Sequence, residues 1–277
     1  MKKVLIIGVI CISLGILTTV AGAITIFSGG TDQFTAIINK TLDALPEFSF
    51  EIRNRQDYNS YANTVALNEV KQINLQVDAA EIVLRVSSDD NVKVIVESDY
   101  GYRSSEISQT ERQIKIRMSR GGIWQKRCRV LVDIPARFWT DAEASIRIDG
   151  NSCEITNQKT GFAGDFILSG SAMEAELSGL SGGLEADMTA GELKAVFFKL
   201  SRDIIVHGTA LDAEIYIPVG ADADVSFSGT GSDFENEFDL GRSGGKIGAG
   251  GTAIDISGTA VDIVLKETSG TIIEAVE

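Results

Sequence analysis

The chain has 277 residues, 44% of them hydrophobic, with 28 Gly and only 3 Pro. That is enough chain for one or two globular units with their own core, and the glycines suit tight turns rather than a disordered linker. The net charge of −14 is unevenly spread: residues 28–147 carry 16 Lys and Arg against 17 Asp and Glu, residues 148–277 only 7 against 22. Phosphate binding needs excess positive charge, so the acidic half excludes duplex nucleic acid as a partner.

Met1-Lys2-Lys3 opens a run over residues 4–27 that holds no charged residue. At ~1.5 Å per residue a helix of this length reaches ~36 Å, enough to cross a ~30 Å hydrocarbon core. Lysines before the run and Asp32 after it predict a single-pass signal-anchor with a cytoplasmic N-terminus and everything from Ser28 onward outside. Ala21-Gly22-Ala23 is a small-residue cleavage pattern, but Ile24, Ile26 and Phe27 continue the apolar run beyond it, which favours a retained anchor over a cleaved signal.

Thr31-Asp32 offers an N-cap, and Phe34, Ile37, Ile38, Leu42 and Leu45 follow at helical spacing up to Pro46, predicting a short helix. Residues 46–65 show no clear period and read as a connector. From Glu69 the period becomes two. Ile73, Leu75 and Val77, then Ile82 and Leu84, Val92 to Val96, Ile114 and Ile116, and Val130 to Ile134 alternate with polar partners. Such runs, separated by turn clusters such as Ser87-Ser88-Asp89-Asp90-Asn91, are strands with one buried face.

The second half repeats one phrase: Gly170-Ser171-Ala172-Met173-Glu174, Gly208-Thr209-Ala210-Leu211-Asp212, Gly229-Thr230-Gly231-Ser232-Asp233 and Gly258-Thr259-Ala260-Val261-Asp262. A shortened copy, Thr189-Ala190-Gly191-Glu192, fills the gap between the first two. Each copy reads strand, turn, strand at a spacing near ~20 residues, and no single unit could bury its apolar face alone. The pattern predicts an all-β fold, a β-solenoid-like stack of strand-turn-strand repeats preceded by the N-terminal transmembrane helix. Its segments are the anchor at 1–27, a short helix and connector at 28–68, and an extracellular β-repeat domain at 69–277. The glycine-rich insert at 241–251 lacks a Gly-Lys-Ser/Thr ending and reads as a flexible loop.

The lysine-led anchor ending in Phe27-Ser28-Gly29-Gly30, the stretch Ile73-Asn74-Leu75-Gln76-Val77-Asp78-Ala79-Ala80-Glu81-Ile82-Val83-Leu84 and the ladder of glycine phrases resemble the bacterial DUF4097 family of β-strand-repeat proteins, provisionally labelled adhesins. The resemblance covers roughly residues 69–277. It implies an envelope-associated surface protein and brings no catalytic residues.

The residues themselves point to no catalytic, cofactor-binding or metal centre. The one histidine, His207, falls where other copies carry Ser169, Ser228 and Ser257, a solvent-side position, so it reads as structural rather than as part of a Ser-His-Asp triad. Glu154, Glu174, Asp212, Asp233 and Asp262 would form a carboxylate ladder if the repeats stack in register; such a ladder either binds Ca²⁺ or keeps the strands soluble. Arg112, Lys115, Arg117, Arg120, Lys126, Arg127 and Arg129 surround Trp124. This cluster reads either as a contact patch for anionic polymer or lipid headgroups or as the wet faces of two strands. Outside the membrane run lie Cys128 and Cys153, which an extracellular compartment would allow to bridge and a core would equally keep apart. The functional expectation is noncatalytic display at the cell membrane, with an unknown surface protein or envelope polymer as partner. The alternative is a self-assembling envelope scaffold or an envelope-stress accessory protein, and an enzyme acting on polysaccharide is a distant third.

Overall fold

A computed structural model describes residues 59–67, 69–98, 105–110, 112–118, 128–158 and 161–268. They lie in a compact unit, Gln56–Glu277. Among the described residues no helix is long and apolar enough to cross a membrane; the run at 4–27 and the helix expected at 31–45 lie outside them.

The strands are β1 (Asn59–Ala66), β2 (Gln72–Ser87), β3 (Asn91–Ser98), β4 (Ser105–Gln109), β5 (Gln113–Met118), β6 (Cys128–Pro135), β7 (Ser145–Asn157) and β8 (Asp165–Leu180). They continue with β9 (Leu184–Phe197), β10 (Ile204–Pro218), β11 (Ala223–Thr230), β12 (Asp233–Asn236), β13 (Gly244–Ile247), β14 (Thr252–Thr259) and β15 (Val261–Thr268). A single turn of helix, α1 (Ala136–Trp139), follows β6. The fold is all-β, and the strands pair into one open 15-stranded sheet.

The long strands β2, β7, β8, β9 and β10 pair in parallel and in register. Each has two arms, and the phase of burial flips between them. In β8 the buried residues are Phe166 and Leu168, then Met173, Ala175 and Leu177; in β10 they are Ile204 and Val206, then Leu211, Ala213, Ile215 and Ile217. An unbroken strand keeps one parity on one face. The flip means that the chain turns a corner at the glycine phrase so that both arms line the same core, and their buried residues do belong to one hydrophobic cluster. The corner is tight. A Cβ on Gly170 would collide with the carbonyl oxygen of Gly150 on the strand below.

Pairing divides accordingly. Along the leading arms the order is β4, β5, β2, β7, β8, β9, β10, β14, β11, β13; along the trailing arms it is β1, β3, β6, β2, β7, β8, β9, β10, β15, β12. Columns of identical role run through the stack, as in Ile73, Ile146, Phe166, Leu184, Ile204 and Ile254. Each strand thereby covers the apolar face its neighbour would otherwise expose.

Three expectations change. Stacking does not follow chain order at the C-terminal end: β14 and β15 fill the slot beside β10, and β11 and β12 lie beyond them. The glycine-rich insert is not simply a loop, because β13 within it pairs antiparallel with β11 and buries Ile247. Asp222 and Asp224 fasten it by accepting bonds from the backbone N–H groups of Ala249 (2.6 Å) and Gly251 (3.1 Å). Residues 59–66, read as connector, form β1 against β3.

The cysteines do not bridge. Ala80 pairs with Cys153 on one side, and Cys128 precedes the Glu81–Arg129 pair on the other. Two strand spacings, ~9.6 Å, exceed the ~7 Å limit for a disulfide. Burial also raises the pKa of the Cys153 thiol. At the turn edge, Phe162 packs on Phe138, Trp139 and Phe166 at centroid distances of 6.3, 5.4 and 4.8 Å.

Candidate functional site

The corner fixes where polar side chains point. On the trailing arms, residues alternating with the buried ones face outward, and register aligns Glu81, Glu154, Glu174, Glu192, Asp212, Asp262 and Asp233 in one row. Neighbours in such a row stand ~4.8 Å apart. The expected ladder therefore exists, extended by two members. Glu192 sits in the shortened copy, and Glu81 in Ala79-Ala80-Glu81, which lacks the glycine that marked the others. The Ala-Ala-Glu spacing was the signal that could have found it.

The adjacent outward row is mixed. Lys194 Nζ lies 2.9 Å from Glu176 Oε1, and Lys266 Nζ lies 2.9 Å from Glu214 Oε1. The Tyr216 hydroxyl donates to Glu214 at 3.0 Å, and Lys266 also sits 5.2 Å from the Tyr216 ring centroid. Hydrogen bonds from Lys266 and Tyr216 hold the Glu214 carboxyl below its ordinary pKa. The Glu214 and Glu176 carboxylates hold Lys266 and Lys194 above theirs. The two rows border a shallow groove of about 430 Å³. Glu154, Glu174, Glu192 and Asp212 take no part in an ion pair among the described residues, so this stretch is a band of uncompensated negative charge. Its carboxylates stand in line rather than converge, and among the described residues no group of three or more His, Cys, Asp or Glu could hold a metal ion.

The basic cluster is divided by the fold. β5 pairs with the leading arm of β2 and β6 with the trailing arm. Lys115 and Arg117 alternate with buried Ile114 and Ile116 and face outward from the leading arms. Arg129 faces outward from the trailing arms, where it pairs with Glu81 at 2.9 Å. Arg112 is exposed just ahead of β5, and its carbonyl accepts from the N–H groups of Lys71 (2.9 Å) and Gln72 (3.0 Å). Arg120, Trp124, Lys126 and Arg127 lie outside the described residues. A hairpin sequence reads as one patch, but its two strands part company when they pair with different arms.

His207 is exposed on the leading-arm face, in register with Asp187 and Ser257, the row that also holds Ser169 and Ser228. Its Nδ1 lies 2.6 Å from Ser257 Oγ. The groove between the acidic row and the mixed row does not include this pair, nor does a second cleft beside α1.

The fold has a solved counterpart. The chain is similar to the crystal structure of a protein from Clostridium sporogenes ATCC 15579 that is provisionally named a cell adhesion protein. The TM-score is 0.50 at 12% identity, over 76% of this chain and 100% of that one. Proteins provisionally named adhesins from Bacteroides fragilis NCTC 9343 (10% identity, TM-score 0.33, 76% of this chain and 97% of that one) and Parabacteroides merdae ATCC 43184 (10%, 0.31, 76% and 96%) also align. At 12% identity the likeness to the Clostridium sporogenes protein is one of fold alone. No family model and no curated protein matches the chain, so the DUF4097 family is not shown, and that resemblance rests on the residues of the repeat alone.

Proposed function

We propose that this is a noncatalytic, adhesin-like protein of the cell envelope, anchored in the membrane by residues 4–27 and displaying its β-repeat unit outside. The rungs wind as a β-solenoid, and their outward rows are the contact surfaces for a surface protein or an envelope polymer. One observation carries this reading: in-register stacking multiplies each outward residue into a row, so that Glu154, Glu174, Glu192 and Asp212 repeat one charge along the groove. Rows of one repeated chemistry suit a partner that is itself repetitive or extended, because many weak contacts then add. The provisional name of the Clostridium sporogenes protein points the same way.

Capture of partners from intact envelope fragments by the full chain tests the proposal. Two variants are compared with the wild type: Glu154→Gln/Glu174→Gln/Glu192→Gln for the acidic row, and Arg112→Gln/Lys115→Gln/Arg117→Gln for the basic one. The expected result is a partner retained by wild type and lost with one of the two rows. Identical recovery from all three proteins would overturn the assignment of these rows as contact surfaces.

A further inference from the structure

The outer face of the leading arms sorts its charges along the stack. At one end stand Lys115 and Arg117 on β5 and Arg147 on β7, with Glu106 of β4 in register with Arg117 and Asp149 of β7 bonded to Arg147; at the other stand Glu185 and Asp187 on β9 and Asp255 on β14. Between them Ile167 on β8 points outward, half-buried on a face where alternation would place a polar residue. Lys115, Glu185, Asp187 and Asp255 make no ion pair among the described residues, although several strands with opposite charge lie on the same face. Lys115 and Asp255 lie far apart within one molecule: from β5 to β14 is five intervening strands, ~29 Å. A side chain spans a fraction of that, so these two charges cannot meet within one copy.

We propose that this face pairs with the same face of a second copy about a two-fold axis that runs along β8. Rotation about an axis parallel to the strands reverses the stack and keeps strand direction. It sets β7 on β9, β2 on β10 and β5 on β14. Lys115 then faces Asp255 of the second copy, Arg147 faces Glu185, and the two Ile167 side chains meet at the axis. Two kinds of like-charged contact result: Asp149 on Asp187, flanked by Arg147, whose Nε is already 3.0 Å from Asp149 Oδ1, and Asp165 on its own copy at the axis, where Arg202 lies 2.7 Å from Asp165 Oδ2 in each molecule. Each contact away from the axis occurs twice, as an isologous interface requires. Seven strands at ~4.8 Å and six residues at ~3.3 Å give ~650 Å² per copy, close to the ~800 Å² per partner of standard interfaces. The arrangement closes at two copies, unlike end-to-end growth through free strand edges, which has no natural limit.

Sedimentation velocity of the purified full chain in mild detergent, with no envelope material present, tests this pairing separately from display. Lys115→Glu/Arg147→Glu turns the basic end acidic, and Glu185→Lys/Asp255→Lys turns the acidic end basic, so that in a mixed pair every reversed charge faces an opposite one. The wild type is expected to sediment as a dimer at low ionic strength and to shift toward monomer at high ionic strength. Each variant alone is expected to be monomeric, and a one-to-one mixture of the two to recover the dimer, which also shows that both variants fold. A wild type that stays monomeric at low salt, a dimer that survives either reversal, a mixture that does not recover, or species that keep growing with concentration would each overturn the proposal.

Discussion

The side-chain amide of Asn157 pairs with the backbone of Ser178 in both directions. Its Nδ2 donates to the Ser178 carbonyl at 2.8 Å, and its Oδ1 accepts from the Ser178 N–H at 2.7 Å. Backbone pairing between β7 and β8 ends at Thr156 and Glu176, so the amide carries the ladder one step further by imitating a peptide group. Asn157 is only 9% exposed. Asn157→Ala should leave two shielded backbone groups without partners, at a cost of ~1–3 kcal/mol. A fall in urea midpoint at unchanged slope would register it; an unchanged midpoint would show that water replaces the amide without loss.

The carboxylate row carries a standing cost. Like charges directly opposite on neighbouring strands oppose pairing by ~0.2–1 kcal/mol each. Glu174→Gln/Glu192→Gln is therefore expected to raise the melting temperature at low ionic strength, with the gain shrinking as salt is added. A gain that is the same at all salt concentrations would mean that something other than repulsion had been relieved.

Much of this was legible in the sequence, and the limits are physical. The change of parity between Ile204/Val206 and Leu211/Ala213 is written in the chain, so two arms sharing one core could be read from it. The order of stacking could not. Val225 and Ile254 both suit the same column, and each phrase that follows opens on glycine, so nothing local says which unit lies next to β10. β1 escaped notice because Asn59, Ser60, Asn63 and Thr64 give its alternation little amplitude. β13 escaped because Gly244 and Gly245 mask a strand that is held through Asp222 and Asp224 rather than by its own side chains. Lys115, Arg117 and Arg129 are near neighbours in the chain, yet β5 and β6 join different arms of β2, and that choice of pairing partner leaves no local mark.

At the corner of β9, Met188 takes the glycine's place and Gly191 sits three residues on, beside Met173 and Leu211. Its φ of 140° suits glycine, and a Cβ there would run into the Met173 carbonyl oxygen. Gly191→Ala should cost ~1–3 kcal/mol through backbone strain. Gly220 also has positive φ, 74°, but open space around it, so Gly220→Ala should cost less. Equal losses by thermal denaturation would show that packing against β8 adds nothing.

Two bridges set the pH limits. Lys71 holds the Asp141 carboxyl below its ordinary pKa, and Lys266 with Tyr216 does the same for Glu214. Depressed carboxyls contribute fully above their unfolded values, near ~4, and that contribution drains as the pH falls through the folded values. The partner lysines are raised, so their share is complete below the ordinary lysine value, ~10.4, and drains only as the pH climbs through the raised one. Urea midpoints measured against pH should fall on the acid side for the wild type and fall less for Asp141→Asn/Glu214→Gln. Parallel curves would remove these bridges from the account.

The in-register stack, with its last rung inserted out of chain order, can be tested by cross-linking across the acidic row. With Cys11 and Cys128 replaced by serine and Cys153 by alanine, cysteines are placed at Asp212 and Asp262, which pair directly, or at Asp212 and Asp233, which stand on either side of β15. Mild oxidation should close an intrachain disulfide rapidly in the first protein and not in the second, whose sites are ~9.6 Å apart. Rapid closure between 212 and 233 with none between 212 and 262 would contradict the stacking order on which both the groove and the charge-sorted face depend.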